Sequence, residues 1–180
     1  MKLLTTLLLT AIFFSGCGYT SPYAPPTETD GKGDRIPLYL EMWDDETNLL
    51  GYQAVIQRSL IHWLKKSKNF GLVKNSSEAS HILSGTIHSA DFPGLSYGTF
   101  DRAVELRAKV RFSYKIEEMK NNLIKLEKKE FTKLKSYLVG SSAVETEDNR
   151  QRVLQEIADD LAEEIYIELS YILIPKKEGV

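Results

Sequence analysis

Cys17 is the only cysteine among 180 residues, and its neighbours narrow what its thiol can do. Lys2 precedes an apolar run from Leu3 to Phe14, and Ser15-Gly16 sets two small residues directly before the thiol. The run is too short to cross a membrane, which takes about 20 apolar residues. It has the length of a secretory h-region. Small residues followed by cysteine resemble a lipobox, where the thiol is diacylated and the chain is cleaved before it. Phe14 stands where an aliphatic side chain is usual. Residues 1–16 then read as a signal peptide and Cys17 as a lipidated N-terminus. Several acyl chains anchor firmly where one alone is marginal. An acylated Cys17 leaves no thiol for a disulfide, a nucleophile or a metal. Gly18 follows where an aspartate would favour the inner membrane, so an outer-membrane destination is expected. The plainer alternative is an ordinary signal peptide with an incidental cysteine.

The remaining candidates for chemistry are thin. His81 and His88 are separated by an odd number of positions on one predicted strand, which turns them to opposite faces. His62 falls on a helix. H-E-x-x-H, the P-loop and G-x-G-x-x-G are absent from the sequence, and the G-x-S-x-G spacing of Gly94 to Gly98 falls in a turn-rich connection between two predicted strands, not on the strand-to-helix turn of a nucleophile elbow. Asp44-Asp45 and Asp159-Asp160 fall at a helix start and on a polar helix face, where solvated carboxylates are the default. The expectation is a protein that is not an enzyme and takes no metal or cofactor.

Charge offers more. The formal net charge is -2, which gives no nucleic-acid signal. From Phe100 to Tyr137, however, eleven basic residues face six acidic ones, and from Glu145 to Ser170 nine acidic residues face Arg150 and Arg152 alone. Arg107, Lys109 and Arg111 alternate along one predicted strand. Lys133 and Lys135 are expected on the same face of the next, so that all five cluster across the strands. Like charges facing each other are destabilising, and an anion or an acidic wall would relieve the cost. Guanidinium forks suit phosphate. The alternative is that Glu105 and Glu130 neutralise the patch locally.

The elements that would position these residues follow from pattern. Residues 17–34 form a tether after the acylated cysteine, with Pro22, Pro25, Pro26, Gly31 and Gly33 and few aliphatic side chains. Such a segment cannot bury enough surface to order itself, and spans roughly 20–25 Å. Residues 35–175 form a single domain. Ile36 to Trp43 alternates as a first strand, with Pro37 suiting a strand start or an edge. Asp44, Asp45 or Thr47 caps a helix from Leu49 to Asn69 that Gly71 ends. His81 to Phe92 is a second strand, and residues 93–98 are a turn-rich connection. Arg102 to Glu117 alternates most regularly: Val104, Leu106, Ala108, Val110, Phe112, Tyr114 and Ile116 against Arg107, Lys109, Arg111 and their neighbours. Asn121-Asn122 marks a hairpin. Leu123 to Tyr137 returns, with a bulge expected near Lys128-Lys129 where the period fails. Gly140 to Val144 is a loop, and Thr146 or Asp148 caps a last helix running to about Leu173. Residues 176–180 form a polar tail. The expected fold is α+β: a four-stranded mixed sheet, strand-helix-strand-strand-strand-helix, with two long helices on its apolar face and a polar face left open.

Taken in order, Gly16-Cys17-Gly18-Tyr19, the helix ending Lys-Asn-Phe-Gly-Leu-Val (68–73), Ala79 to Ser89, Leu95-Ser96-Tyr97 and the acidic last helix resemble the LptE family of lipopolysaccharide-assembly lipoproteins. The resemblance implies an outer-membrane lipoprotein, held by its N-terminal lipid and facing the periplasm. It would plug the lumen of an LptD-type β-barrel, help that barrel assemble, and assist lipopolysaccharide on its way to the outer membrane. By position and charge, Arg102, Arg107, Lys109, Arg111, Lys133 and Lys135 are its candidate lipopolysaccharide contacts. Two other classes remain open: a curli-secretion-like pore-forming lipoprotein, and a free periplasmic ligand-binding lipoprotein.

Overall fold

The computed structural model describes residues 35–99 and 102–174. The signal peptide, Cys17, the tether and the tail therefore lie outside the described residues. Seven strands and two helices follow in order: β1 (Ile36–Leu40), β2 (Asp44–Asp45), α1 (Tyr52–Lys66), β3 (Phe70–Leu72), β4 (His81–Asp91), β5 (Gly94–Tyr97), β6 (Ala103–Glu118), β7 (Leu123–Leu138) and α2 (Ala143–Leu173). A short 3-10 turn, Ser76–Glu78, precedes β4.

The sheet is mixed, as expected, but has seven strands instead of four. The difference lies in three short strands. The first predicted strand breaks after Leu40, and β2 resumes its lane, so that both pair parallel with β4. β5 continues the lane of β4 along the start of β6, where residues 93–98 read as a turn. β3 adds an outer lane parallel to β1. Pro37 therefore lies between two neighbours, with its carbonyl accepting the backbone N–H of Ser80 at 2.9 Å. The long antiparallel meander β4-β6-β7 matches the pattern reading closely.

Helix boundaries shift for local reasons. Asp45 and Thr47 cap a turn, not α1: Asp45 accepts from the Thr47 backbone N–H at 2.9 Å, and Thr47 from that of Leu49 at 3.1 Å. α1 starts after Gly51, whose φ of 81° is left-handed and so suits glycine. It ends at Lys66, and Gly71 lies in β3. α2 starts earlier than expected because Ser142 caps it, accepting from the Glu145 N–H at 3.1 Å. The Glu145 carboxylate returns to the Ser141 N–H and hydroxyl at 2.7 Å. Such reciprocal capping satisfies donors that a helix start leaves orphaned.

Both helices pack on one face. Ala108, Val110, Phe112, Tyr114 and Ile116 of β6 meet Ile56, Leu60 and Leu64 of α1 and Leu154, Ile157, Leu161, Ile165 and Leu169 of α2 in one buried cluster. Fully burying each of the larger side chains is worth about 1.5–3 kcal/mol. The helices are joined by the Tyr52 hydroxyl, which donates to the Leu154 carbonyl at 3.0 Å, and by Ser59, which donates to Asp159 at 2.6 Å. Among the described residues no helix is long and apolar enough to cross a membrane.

Candidate functional site

The odd-numbered side chains of β6 point away from the helices, and this places Arg107, Lys109 and Arg111 on the open face, all exposed. Their partners on β7 are Ser136, Leu134 and Thr132, none of them charged. Arg111 donates to the Ser89 hydroxyl at 2.8 Å. Asp91 of β4 stands in register with Lys109. Among the described residues none of the three cations is held in an ion pair. Arg102 is exposed just before β6. Glu105 is engaged weakly by Ser96 at 3.5 Å.

Lys133 and Lys135 do not join this row. They stand opposite Val110 and Ala108, which face the core, and so point to the helix side. There Lys133 pairs with Glu164, and Lys135 with Glu156 at 3.1 Å and Asp160 at 3.0 Å. Lys128 joins them, bound to Glu164 and, at 3.3 Å, to Glu168. Its ammonium also lies 5.0 Å from the Phe131 ring centre. The expected five-cation cluster is thus two groups on opposite faces. The basic strand and the acidic helix satisfy each other.

The hairpin carries two register shifts, one between Ile116↔Leu126 and Glu117↔Ile124 near the turn and one close to where a bulge was expected, and together they set Lys133 and Lys135 on the core side. Tyr114 pairs with Lys128 and Phe112 with Phe131, which leaves Lys129 and Glu130 together opposite Ser113. Glu130 has a left-handed φ of 36°. One extra residue reverses the face of every side chain on one side of it. Lys128 thereby shares a face with Lys133 despite the odd separation.

The clamp between β7 and α2 perturbs its own titration. Burial alone would raise the pKa of Glu164, but its hydrogen bonds and charges from Lys128 and Lys133 hold it below the ordinary carboxylate value. Burial would lower Lys128, but its bonds to Glu164 and Glu168 push it up. The Tyr114 hydroxyl, raised by burial and then by donating to Glu168, stays protonated.

Beside the cation row lies a trough of about 700 Å³. Glu41 and Asp44 line one wall, Lys115 and Lys129 the other, and Ser84, Thr86 and Ser113 lie between. His88 bridges Glu46 at 2.9 Å and Ser113 at 2.8 Å. The Ser84 oxygen is buried with no hydrogen-bond partner among the described residues. His81 bonds Ser80 at 2.9 Å, and its pKa is lowered by burial, which outweighs the pull of Glu118. Pattern reading missed Lys128, and also Leu134 and Leu138, which are 54% and 67% exposed beside the cation row. Phe131 and Tyr137 were the available signal. They share their face with Lys133 and Lys135 and pack into or against the core.

A family model described as LptE, lipopolysaccharide-assembly, matches residues 37–169. No curated protein matches significantly. Among solved structures, a lipoprotein from Caulobacter crescentus is similar at TM-score 0.55 and 14% identity, over 77% of this chain and 94% of that one. A lipoprotein B from Nitrosomonas europaea is similar at TM-score 0.53 and 13% identity, over 76% and 83%. The rare lipoprotein B of Shewanella oneidensis is similar at TM-score 0.50 and 14% identity, over 75% and 94%. At these identities the likeness is one of fold.

Proposed function

As this chain belongs to the LptE family of lipopolysaccharide-assembly proteins, we propose that it is an outer-membrane lipoprotein that plugs an LptD-type β-barrel, helps it assemble and assists lipopolysaccharide through it. Cys17 is the lipid attachment site and residues 18–34 the tether that holds the domain at the periplasmic leaflet. The observation that carries the reading is the pairing of the family match with an open sheet face on which Arg107, Lys109 and Arg111 are held in no ion pair among the described residues. Arg107, Lys109 and Arg111, with exposed Arg102 at the strand start, are placed to meet phosphate, whose oxygens accept charge-assisted hydrogen bonds. Lys133 and Lys135 belong to the clamp and contribute to holding the face in shape. A polar sheet suits the water-filled interior of a large barrel.

The pore-forming alternative fits less well. A lipid-inserted hairpin needs one apolar face for the bilayer. β6 buries its apolar face under the helices and presents Arg107, Lys109 and Arg111 on the other. Affinity purification from outer membranes, through a tag at Val180, tests the proposal. Stoichiometric recovery of a large β-barrel protein is expected. Recovery of this chain alone or only with copies of itself would overturn the plug reading.

A further inference from the structure

β7 forms one edge of the sheet. β6 pairs with its inner side from Glu105↔Leu138 to Glu118↔Leu123, and no strand among the described residues lies along its outer side. Such an edge presents a row of unpaired backbone N–H and C=O groups, which native proteins blunt with bulges or with lysines. β7 has both, but neither protects its second half, where among the described residues the Leu138 carbonyl alone accepts a side-chain bond, from the Asn149 amide at 3.0 Å. The bulge lies at Lys129-Glu130. Beyond it Phe131–Leu138 runs without a break in register, about 26 Å of regular strand. Its two lysines, Lys133 and Lys135, are drawn onto α2 by ion pairs. The open-face side chains of this stretch, Thr132, Leu134, Ser136 and Leu138, carry no charge, and both leucines are more than half exposed. Along the helix side four carboxylates (Glu156, Asp160, Glu164, Glu168) outnumber three ammoniums (Lys128, Lys133, Lys135).

We infer that the Phe131–Leu138 edge is a docking site for an extended segment of another protein, which adds to the sheet as a further strand. Backbone bonds supply affinity in this mode and alternate side chains supply selectivity. The segment that fits carries apolar residues beside Leu134 and Leu138, and lysine or arginine on its other face, toward the acidic excess of α2. A second copy of this chain fits worse. Pairing β7 with β7 about a two-fold axis would bring the two α2 helices side by side, acids toward acids. The inference does not rest on lipopolysaccharide binding, since none of Arg102, Arg107, Lys109 and Arg111 takes part.

The test is amide hydrogen exchange on the full chain in detergent, with and without an eight-residue peptide of alternating leucine and lysine. Exchange at alternate amides within residues 131–138 slows about tenfold or more on binding. A peptide of the same composition with its leucines and lysines in two blocks leaves these amides unchanged. Leu134→Glu with Leu138→Lys abolishes the slowing at an unaltered melting temperature, because both side chains are exposed and each new charge stands opposite one of the other sign, Lys109 and Glu105. No slowing, or slowing confined to α2, overturns the inference. So does an edge already protected without peptide, whether that protection grows with protein concentration, as a second copy requires, or is independent of it, as an occupying segment of the same chain requires.

Discussion

Lys109 and Lys133 lie on neighbouring strands but on opposite faces, so reversing each charge should damage a different property. Lys109 is exposed, between uncharged Leu134 of β7 and Asp91 of β4. A phosphate oxygen about 4 Å from its ammonium gains ~1 kcal/mol at the dielectric of water. Lys109→Glu turns that gain into a cost of the same size, a change of about 2 kcal/mol, or about thirty-fold in affinity. Arg107 and Arg111 lie about 7 Å to either side along the strand. That is close to the screening length at physiological salt, so they soften the loss only modestly. Stability should fall by no more than about 1 kcal/mol, the cost of an exposed carboxylate facing Asp91 across the strands. Lys133→Glu, in contrast, sets a carboxylate against Glu164, at side chains 25% and 29% exposed. Loss of the pair plus the new repulsion at this partial burial costs about 2–4 kcal/mol of stability. The affinity of the folded fraction for lipopolysaccharide should not change. Competition against a fluorescent lipopolysaccharide and urea unfolding of the same preparations separate the two effects. If Lys133→Glu were as stable as the parent and lost binding as Lys109→Glu does, the assignment of faces would be refuted.

Gly85→Ala should destabilise the fold by about 1–3 kcal/mol. An added Cβ would lie 2.6 Å from the ring of Trp43, which is buried against Phe112 and Tyr114, and a thermal melt equal to the parent's would contradict that fit. The folded pKa of Glu164 lies below its usual 4.5, so its contribution is present above that value and is lost as pH falls through the folded one. Unfolding midpoints should therefore fall below about pH 4.5 and fall less steeply in Glu164→Gln; an identical acid limb in the variant would count against the clamp. Cys17→Ala should abolish incorporation of a labelled fatty acid into the chain, and label retained in the variant would remove Cys17 as the lipid attachment site.

The legible parts of the fold are those where one face is buried over many residues. β6 alternates without interruption because its even-numbered side chains from Leu106 to Ile116 all meet the helices. The stripe of α2 at Leu154, Ile157, Leu161, Ile165 and Leu169 is readable for the same reason. β2, β3 and β5 are not readable, because pairing and not pattern defines strands of two to four residues. The site was half legible. Arg107, Lys109 and Arg111 lie where alternation puts them. Lys133 and Lys135 do not, because a face on β7 is assigned by counting across register shifts, and the strand has a second one near the hairpin turn that inverts the count again. The acidic run of α2 held the correction, since four of its carboxylates, Glu156, Asp160, Glu164 and Glu168, are better satisfied by the lysine-rich strand than by solvent alone.

The central claim is that the open sheet face meets lipopolysaccharide while the helix face holds the structure. A photo-crosslinking residue in place of Ser136, which stands across from Arg107 on the open face, tests it in intact cells. A second in place of Glu163, exposed on α2, is the control. The account predicts a lipopolysaccharide adduct at position 136 and none at 163. An adduct at 163 with none at 136 would contradict it.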